Sequence, residues 1–339
     1  MARCGARRGR DVVEAVDSRI QRIYEPVQAQ LDQVVGALRG IAAQAGPSLE
    51  GGLLDHAVLS GGKKLRPALT LLSAQFQPHD HDKPITMATA VELLHIASLI
   101  HDDTVDNSAI RRGRATVSSL WGGKVAVLLG DYVFATSAMY VCDTGDVRVI
   151  RRFSEAIAEL ARGELNEHFN LHNWHQTLAD YEDRIYNKTA SLFRTASECG
   201  AVLSGAPEHR CQALKAYGYQ LGMAFQIMDD VLDFQGTEAE LGKPVGNDLL
   251  QGIVTLPALL FAEGHPAELA LQRLRGGSVD SGDLRHVVEM VRNSSAVDDA
   301  IAVADRYGSR ALEALGQLPS NQARRSLEEL TAYITSRRA

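Results

Sequence analysis

The sequence predicts an all-α fold, a single-domain bundle of ten or more helices. Apolar residues recur at helical spacing along almost the whole chain, while the period-two alternation that marks strands is scarce. Two stretches, 85–100 and 125–142, are apolar on nearly every side. Glu92 and His95 interrupt the first and Asp131 the second, so both read as central helices of a large bundle, not as transmembrane spans.

Helices are expected over 12–43, 50–57, 66–76, 85–106, 116–142, 147–171, 178–204, 209–235, 250–263, 283–292, 297–315 and 320–336. Turn residues punctuate them. Gly46-Pro47 closes the first, and Pro78 and Pro84 bracket a loop before the fourth. Asp143-Thr144-Gly145, Gly205-Ala206-Pro207 and Gly264-His265-Pro266 end the fifth, seventh and ninth, and Gly276-Gly277 precedes the tenth. No strand pair stands out. The segment Gly236–Thr255 breaks the pattern with four glycines, Pro244, Lys243, Asn247 and Asp248, and reads as a lid. Residues 1–11, Arg-rich and without an apolar core, read as a disordered basic tail and not a secretory signal; residues 12–339 form the domain.

A formal net charge of −7 argues against non-specific nucleic-acid binding. Four cysteines, Cys4, Cys142, Cys199 and Cys211, match no zinc or disulfide spacing, which fits a reduced cytoplasmic setting.

The chemistry concentrates in an acidic pattern that occurs twice, at Asp102-Asp103-Thr104-Val105-Asp106 and Asp229-Asp230-Val231-Leu232-Asp233. Each ends an apolar helical stretch. Like charges at i and i+4 cost a helix stability, so two such clusters call for counter-charge. The first and fifth positions lie about 40° apart around a helix, so their carboxylates share a face. A few hard oxygen ligands with coordination left open suit Mg²⁺ shared with substrate phosphates. Two clusters suggest a cavity with metal on both sides. Cations stand where such a site needs them: Lys63 and Arg66 after paired glycines, Arg111 and Arg112 after the first cluster, Lys188 beside Thr189, and Lys243 after the second cluster.

In order, Gly61-Gly62-Lys63-Lys64-Leu65-Arg66-Pro67, His101-Asp102-Asp103-Thr104-Val105-Asp106, Arg111-Arg112-Gly113, Gly130-Asp131-Tyr132, Lys188-Thr189-Ala190-Ser191-Leu192, Phe225-Gln226-Ile227-Met228-Asp229-Asp230-Val231-Leu232-Asp233 and Gly242-Lys243-Pro244-Val245-Gly246-Asn247-Asp248-Leu249 resemble the motifs of trans-isoprenyl (polyprenyl) diphosphate synthases. That resemblance implies an isoprenoid-synthase bundle around a deep central cavity. It implies a prenyltransferase that condenses an allylic diphosphate with isopentenyl diphosphate, head to tail, through three Mg²⁺ ions. Asp102, Asp106 and Asp229 are then the direct metal ligands, with Asp103, Asp230 and Asp233 ligands or orienting groups. Arg111, Lys188, Thr189, Gln226 and Lys243 would hold the allylic diphosphate. Lys63, Arg66, His95 and Arg112 would hold isopentenyl diphosphate, with Phe225 against it. The family also implies a homodimer, and leaves transient membrane association open for product release.

Product length is a matter of volume. The tunnel should run back along the helix before Asp102, past Ser98, Ala97 and Leu94, none of them aromatic. The expected product is an all-trans polyprenyl diphosphate longer than geranylgeranyl. Two rivals remain: a class I terpene cyclase, and a non-catalytic subunit that tunes chain length. A cyclase would lack the second Asp-Asp-x-x-Asp and the glycine-lysine segment; a regulatory subunit would have lost carboxylates or cations. His79-Asp80-His81-Asp82 reads as a solvated loop. His168, His172 and His175 could share a helix face but carry no catalytic pattern, and Asp131 is expected to make a buried polar contact.

Overall fold

Helices form where the apolar periodicity places them, and their starts are chemically marked. The structure, a computed structural model, describes residues 18–44, 49–58, 62–111, 113–236 and 244–337. The chain divides into two compact units, one of residues 1–152, 196–212 and 318–330, the other of 153–195, 213–317 and 331–339.

The first unit opens with helix α1 over 18–24, a 3₁₀ turn at Glu25–Val27, then α2 (Gln28–Gln44), α3 (Leu49–Val58), α4 (Leu65–Ala74) and α5 (Asp82–Val105). Asp82 and Pro84 in the first turn of α5 suit its start, since the dipole favours an acid there and proline lacks a donor the turn does not use. A two-stranded hairpin follows, β1 (Ile110–Arg111) with β2 (Arg114–Ala115), then α6 (Val117–Trp121) and α7 (Gly123–Asp143). Helix α5 packs against α2, α4 and α7. The 196–203 part of α10 (Ser191–Leu203) presses on α4, where Gly200 lies so close that a Cβ would sit 2.1 Å from Thr70 O.

The second unit carries most of α8 (Val147–Phe169), α9 (Leu178–Ile185), a π turn at Tyr186–Ala190, and most of α11 (Glu208–Gln235). It continues through α12 (Asn247–Leu250), α13 (Leu256–Gly264), α14 (Leu269–Arg275), α15 (Ser281–Arg292) and α16 (Ala296–Gly316) to the end of α17 (Gln322–Thr335). Thr177 and Asp180 make a reciprocal capping box at the start of α9. Asp280 caps α15 by accepting from the Gly282 and Asp283 amides.

Several sequence expectations need correction. The helix expected over 116–142 is two, because Gly122 (φ 87°) breaks it. The helix expected over 178–204 contains the π turn. The hairpin and α14 were not foreseen, and α8 ends at Phe169, so His172 and His175 lie beyond it and share no helix face with His168. The apolar helices also differ: 67% of the most apolar window of α5 is buried but only 33% of that of α7. Leu128, Tyr132 and Met139 of α7 are exposed. Residues 1–11 lie outside the described residues, as do 12–17 of the first expected helix.

Candidate active site

In the first unit, Asp102 and Asp103 lie in the last turn of α5 and Asp106 is its C-cap. A helix C-terminus carries negative partial charge, so the backbone and the neighbouring carboxylates both repel each of them. One is neutralised internally. Asp103, 7% exposed, accepts a 2.7 Å hydrogen bond from Arg111 Nε. Burial nevertheless pushes its carboxyl above the usual range, the Arg111 charge only partly opposing it. Asp102 is half-buried and Asp106 exposed.

Arg111 reaches Asp103 because the hairpin folds back on the helix end. The turn passes through Gly113 at φ 75°, the Ser108 amide donates to Asp103 O, and the Thr116 hydroxyl donates to Ser108 O. Close approach of α7 fixes the other side. A Cβ on Gly130 would stand 2.2 Å from the His101 ring. Asp131, expected to be buried, is exposed, with its carboxylate 3.5 Å from His101 Nε2. It lies one position on from Gly130, and a step of about 100° puts it at the solvent-facing margin of the α5 contact, where it still reaches His101.

The proposed isopentenyl diphosphate set begins before α4. The Tyr24 hydroxyl donates to Lys63 O at 2.6 Å, while the Lys63 side chain is exposed. Arg66 Nη1 and His95 Nε2 are 3.1 Å apart. Guanidinium can only donate, so in this pair Nε2 of His95 is the accepting nitrogen. Lys64, at φ 50°, pairs with Glu92 at 2.9 Å. The charge inside the apolar 85–100 stretch thus has a specific partner, which sequence reading had left without one.

In the second unit a hydrogen-bonded chain links the acidic motif of α11 to the π turn. Asp230, 3% exposed, accepts from Tyr181 Oη at 2.7 Å and from Gln226 Nε2 at 2.8 Å. Gln226 Oε1 in turn accepts from the Thr189 hydroxyl at 2.6 Å. Burial raises the Asp230 carboxyl to about 7 despite both donors. Asp233, 2% exposed, accepts from the Asp248 amide at 3.1 Å. Asp229 is the accessible member. It meets Arg337 Nη1 at 2.6 Å, and that guanidinium lies 5.0 Å from the centre of the Phe225 ring, one turn back on α11.

The π turn carrying Lys188 and Thr189 is clamped between two glycines. A Cβ on Gly163 of α8 would stand 2.5 Å from Lys188 N, and one on Gly222 of α11 2.6 Å from Ala190 Cα. The extra residue in the turn is thus accommodated by backbone approach from both sides. Lys188 Nζ meets Glu167 at 2.5 Å and Glu164 at 3.3 Å, both on α8.

The six aspartates therefore differ in burial: Asp103, Asp230 and Asp233 are buried, Asp102 and Asp229 are half-buried and Asp106 is exposed. Among the described residues no three carboxylate, imidazole or thiol groups converge as a cage. The accessible donors are oxygens in small number, which fits Mg²⁺ completed by phosphate oxygens and water. Arg112 and Lys243 lie outside the described residues, with most of the lid's first half.

Of the tunnel residues, Leu94 and Ala97 are buried and Ser98 is half-buried, its hydroxyl donating to His95 O. A cavity of about 50 Å³ opens on another stripe of α5, against Ile96, Leu99, Ile100 and Asp103. Ile96, Ile100 and Asp103 are spaced i, i+4 and i+7, while Ala97 is turned about 100° from Ile96.

The polyprenyl synthetase family model matches residues 50–291. The chain belongs to that family. Heptaprenyl diphosphate synthase component 2 of Geobacillus stearothermophilus is 38% identical over 299 residues, covering 88% of this chain and 92% of the relative. The heptaprenyl diphosphate synthase structure from Staphylococcus aureus superposes with TM-score 0.87 at 37% identity, covering 92% and 98%. A polyprenyl synthase from Caulobacter crescentus CB15, complexed with calcium and isoprenyl diphosphate, gives TM-score 0.87 at 36% identity, covering 94% and 98%. The all-α reading and the family resemblance hold. As a polyprenyl diphosphate synthase, the chain is an enzyme, a prenyltransferase of isoprenoid biosynthesis.

Proposed function

We propose that this polyprenyl synthase is Mg²⁺-dependent and adds isopentenyl diphosphate units to an allylic diphosphate, head to tail, to a length beyond geranylgeranyl. The observation that carries it is the division of the aspartates by burial, with Asp102 and Asp229 half-buried and Asp106 exposed while the other three are enclosed. When bound, the Mg²⁺ ions, three in the complete site, supply Lewis-acid neutralisation of the departing diphosphate. Lys188, Thr189, Gln226, Arg111 and Lys243 hold that diphosphate while the allylic carbon–oxygen bond breaks. Lys63, Arg66, His95 and Arg112 anchor the diphosphate of isopentenyl diphosphate, whose double bond attacks the allylic cation. Loss of a proton then restores a double bond, and the chain is one isoprene unit longer. The calcium and isoprenyl diphosphate complex of the Caulobacter relative supports a divalent ion with this ligand class.

Small or aliphatic residues at Leu94, Ala97 and Ser98 leave no aromatic floor near the first cluster, and the heptaprenyl relatives support a medium or long product. The test is incubation of purified protein with farnesyl and isopentenyl diphosphates and Mg²⁺. A ladder of longer linear products fits; a cyclic hydrocarbon returns the cyclase.

The exposed apolar residues of α7 support pairing as a homodimer. The designation component 2 of two relatives favours a second reading, pairing with another subunit. Light scattering of the protein alone separates them: a dimer with full turnover fits the first, and turnover only on adding a partner fits the second.

A further inference from the structure

We propose that Tyr181 is a positioning residue for the allylic diphosphate, acting through Asp230 on the Gln226–Thr189 pair; this rests on the reading that Thr189 and Gln226 hold that ligand. Tyr181 is fully buried on α9. Its hydroxyl donates to Asp230 Oδ2 at 2.7 Å, and Gln226 Nε2 donates to Asp230 Oδ1 at 2.8 Å. As a carboxylate, Asp230 only accepts, so the Gln226 nitrogen faces Asp230 and its oxygen faces Thr189. That oxygen takes the Thr189 proton at 2.6 Å. The chain therefore fixes the amide orientation of Gln226 and the rotor of Thr189, two groups otherwise free to turn.

The fixed end is deep in the fold. Tyr181 directly follows Asp180 of the Thr177–Asp180 capping box. The other end is held by the π turn, which Gly163 and Gly222 clamp at backbone distance. Without the Tyr181 hydroxyl, Asp230 Oδ2 would be buried with its donor removed. The carboxylate would then turn to share the Gln226 donor, and the Gln226–Thr189 geometry would loosen. A ligand meeting that pair would have to order it on binding.

A double-mutant cycle tests this, read as the affinity of a non-ionising allylic thiolodiphosphate with Mg²⁺. Tyr181→Phe should weaken it by about tenfold, the scale of a hydrogen bond to a charged group. Isopentenyl diphosphate affinity should stay unchanged, which also shows that the variant is folded. On an Asp230→Asn background, Tyr181→Phe should add less than about twofold, because the two act as one unit. Tyr307→Phe is the matched control. It removes another largely buried tyrosine hydroxyl bonded to a carboxylate, Glu182 on the same α9, at 2.7 Å. It should leave allylic affinity unchanged. Equal losses in Tyr181→Phe and Tyr307→Phe, multiplicative effects in the cycle, or an unaltered affinity in Tyr181→Phe would each overturn the proposal. If Thr189→Val leaves the analogue's affinity intact, the ligand assignment of Thr189 fails instead.

Discussion

Arg337 occupies the accessible aspartate of the second cluster, so removing it should raise the affinity of the substrate-free enzyme for divalent metal. Its guanidinium meets Asp229 Oδ1 at 2.6 Å, and the two side chains are 24% and 36% exposed. Unit charges about 4 Å apart near a protein surface attract by about 4 kcal/mol. Exposure, salt and the entropy of holding two side chains reduce the net value to about 1 kcal/mol. A metal ion that takes Asp229 must overcome that pairing, so Arg337→Ala should bind Mn²⁺ about fivefold more tightly. Counting free Mn²⁺ by electron paramagnetic resonance, with diphosphate absent, measures it. The gain should shrink at high ionic strength, where the native pair is already screened. Unchanged or weaker binding in Arg337→Ala would refute the competition.

Gly163→Ala should destabilise the fold by about 1–3 kcal/mol, since the new Cβ meets the Lys188 backbone and not a mobile side-chain tip; urea denaturation reads this out. Asp230 gives the metal-free protein a pH dependence. Its carboxyl is raised to about 7, so the unfolded chain loses that proton first. Stability from this group is full below the unfolded value near 4 and is lost as pH rises towards about 7. Asp230→Asn should flatten that part of the profile, and an unchanged slope in chelator would count against it. Ala97→Tyr should shorten the product by placing an aromatic ring before Asp102, and an unaltered product distribution would discard the tunnel assignment.

What the sequence made legible was local. Helix α5 could be read from its apolar pattern and its three terminal aspartates, and the second acidic motif likewise ends α11. The π turn could not be read, because Gly163 and Gly222, which clamp it, are far from it in the chain. The hairpin is only two residues per strand, too short for any alternation to show. The remote partners of the second cluster were hidden by their distance along the chain. Nothing near Asp229 announces Arg337, and Tyr181 reads as one more core aromatic until its hydroxyl is seen against Asp230. Asp131 misled because a charge in an apolar run suggests burial, whereas α7 leaves that face open.

The proposed function turns on head-to-tail elongation beyond geranylgeranyl. Chromatography of the dephosphorylated products, from purified enzyme with each allylic primer, isopentenyl diphosphate and Mg²⁺, tests it most directly. Repeated head-to-tail addition gives a linear all-trans series that passes geranylgeranyl and ends at one dominant length. A cyclic hydrocarbon, or accumulation at geranylgeranyl with isopentenyl diphosphate still in excess, would contradict it.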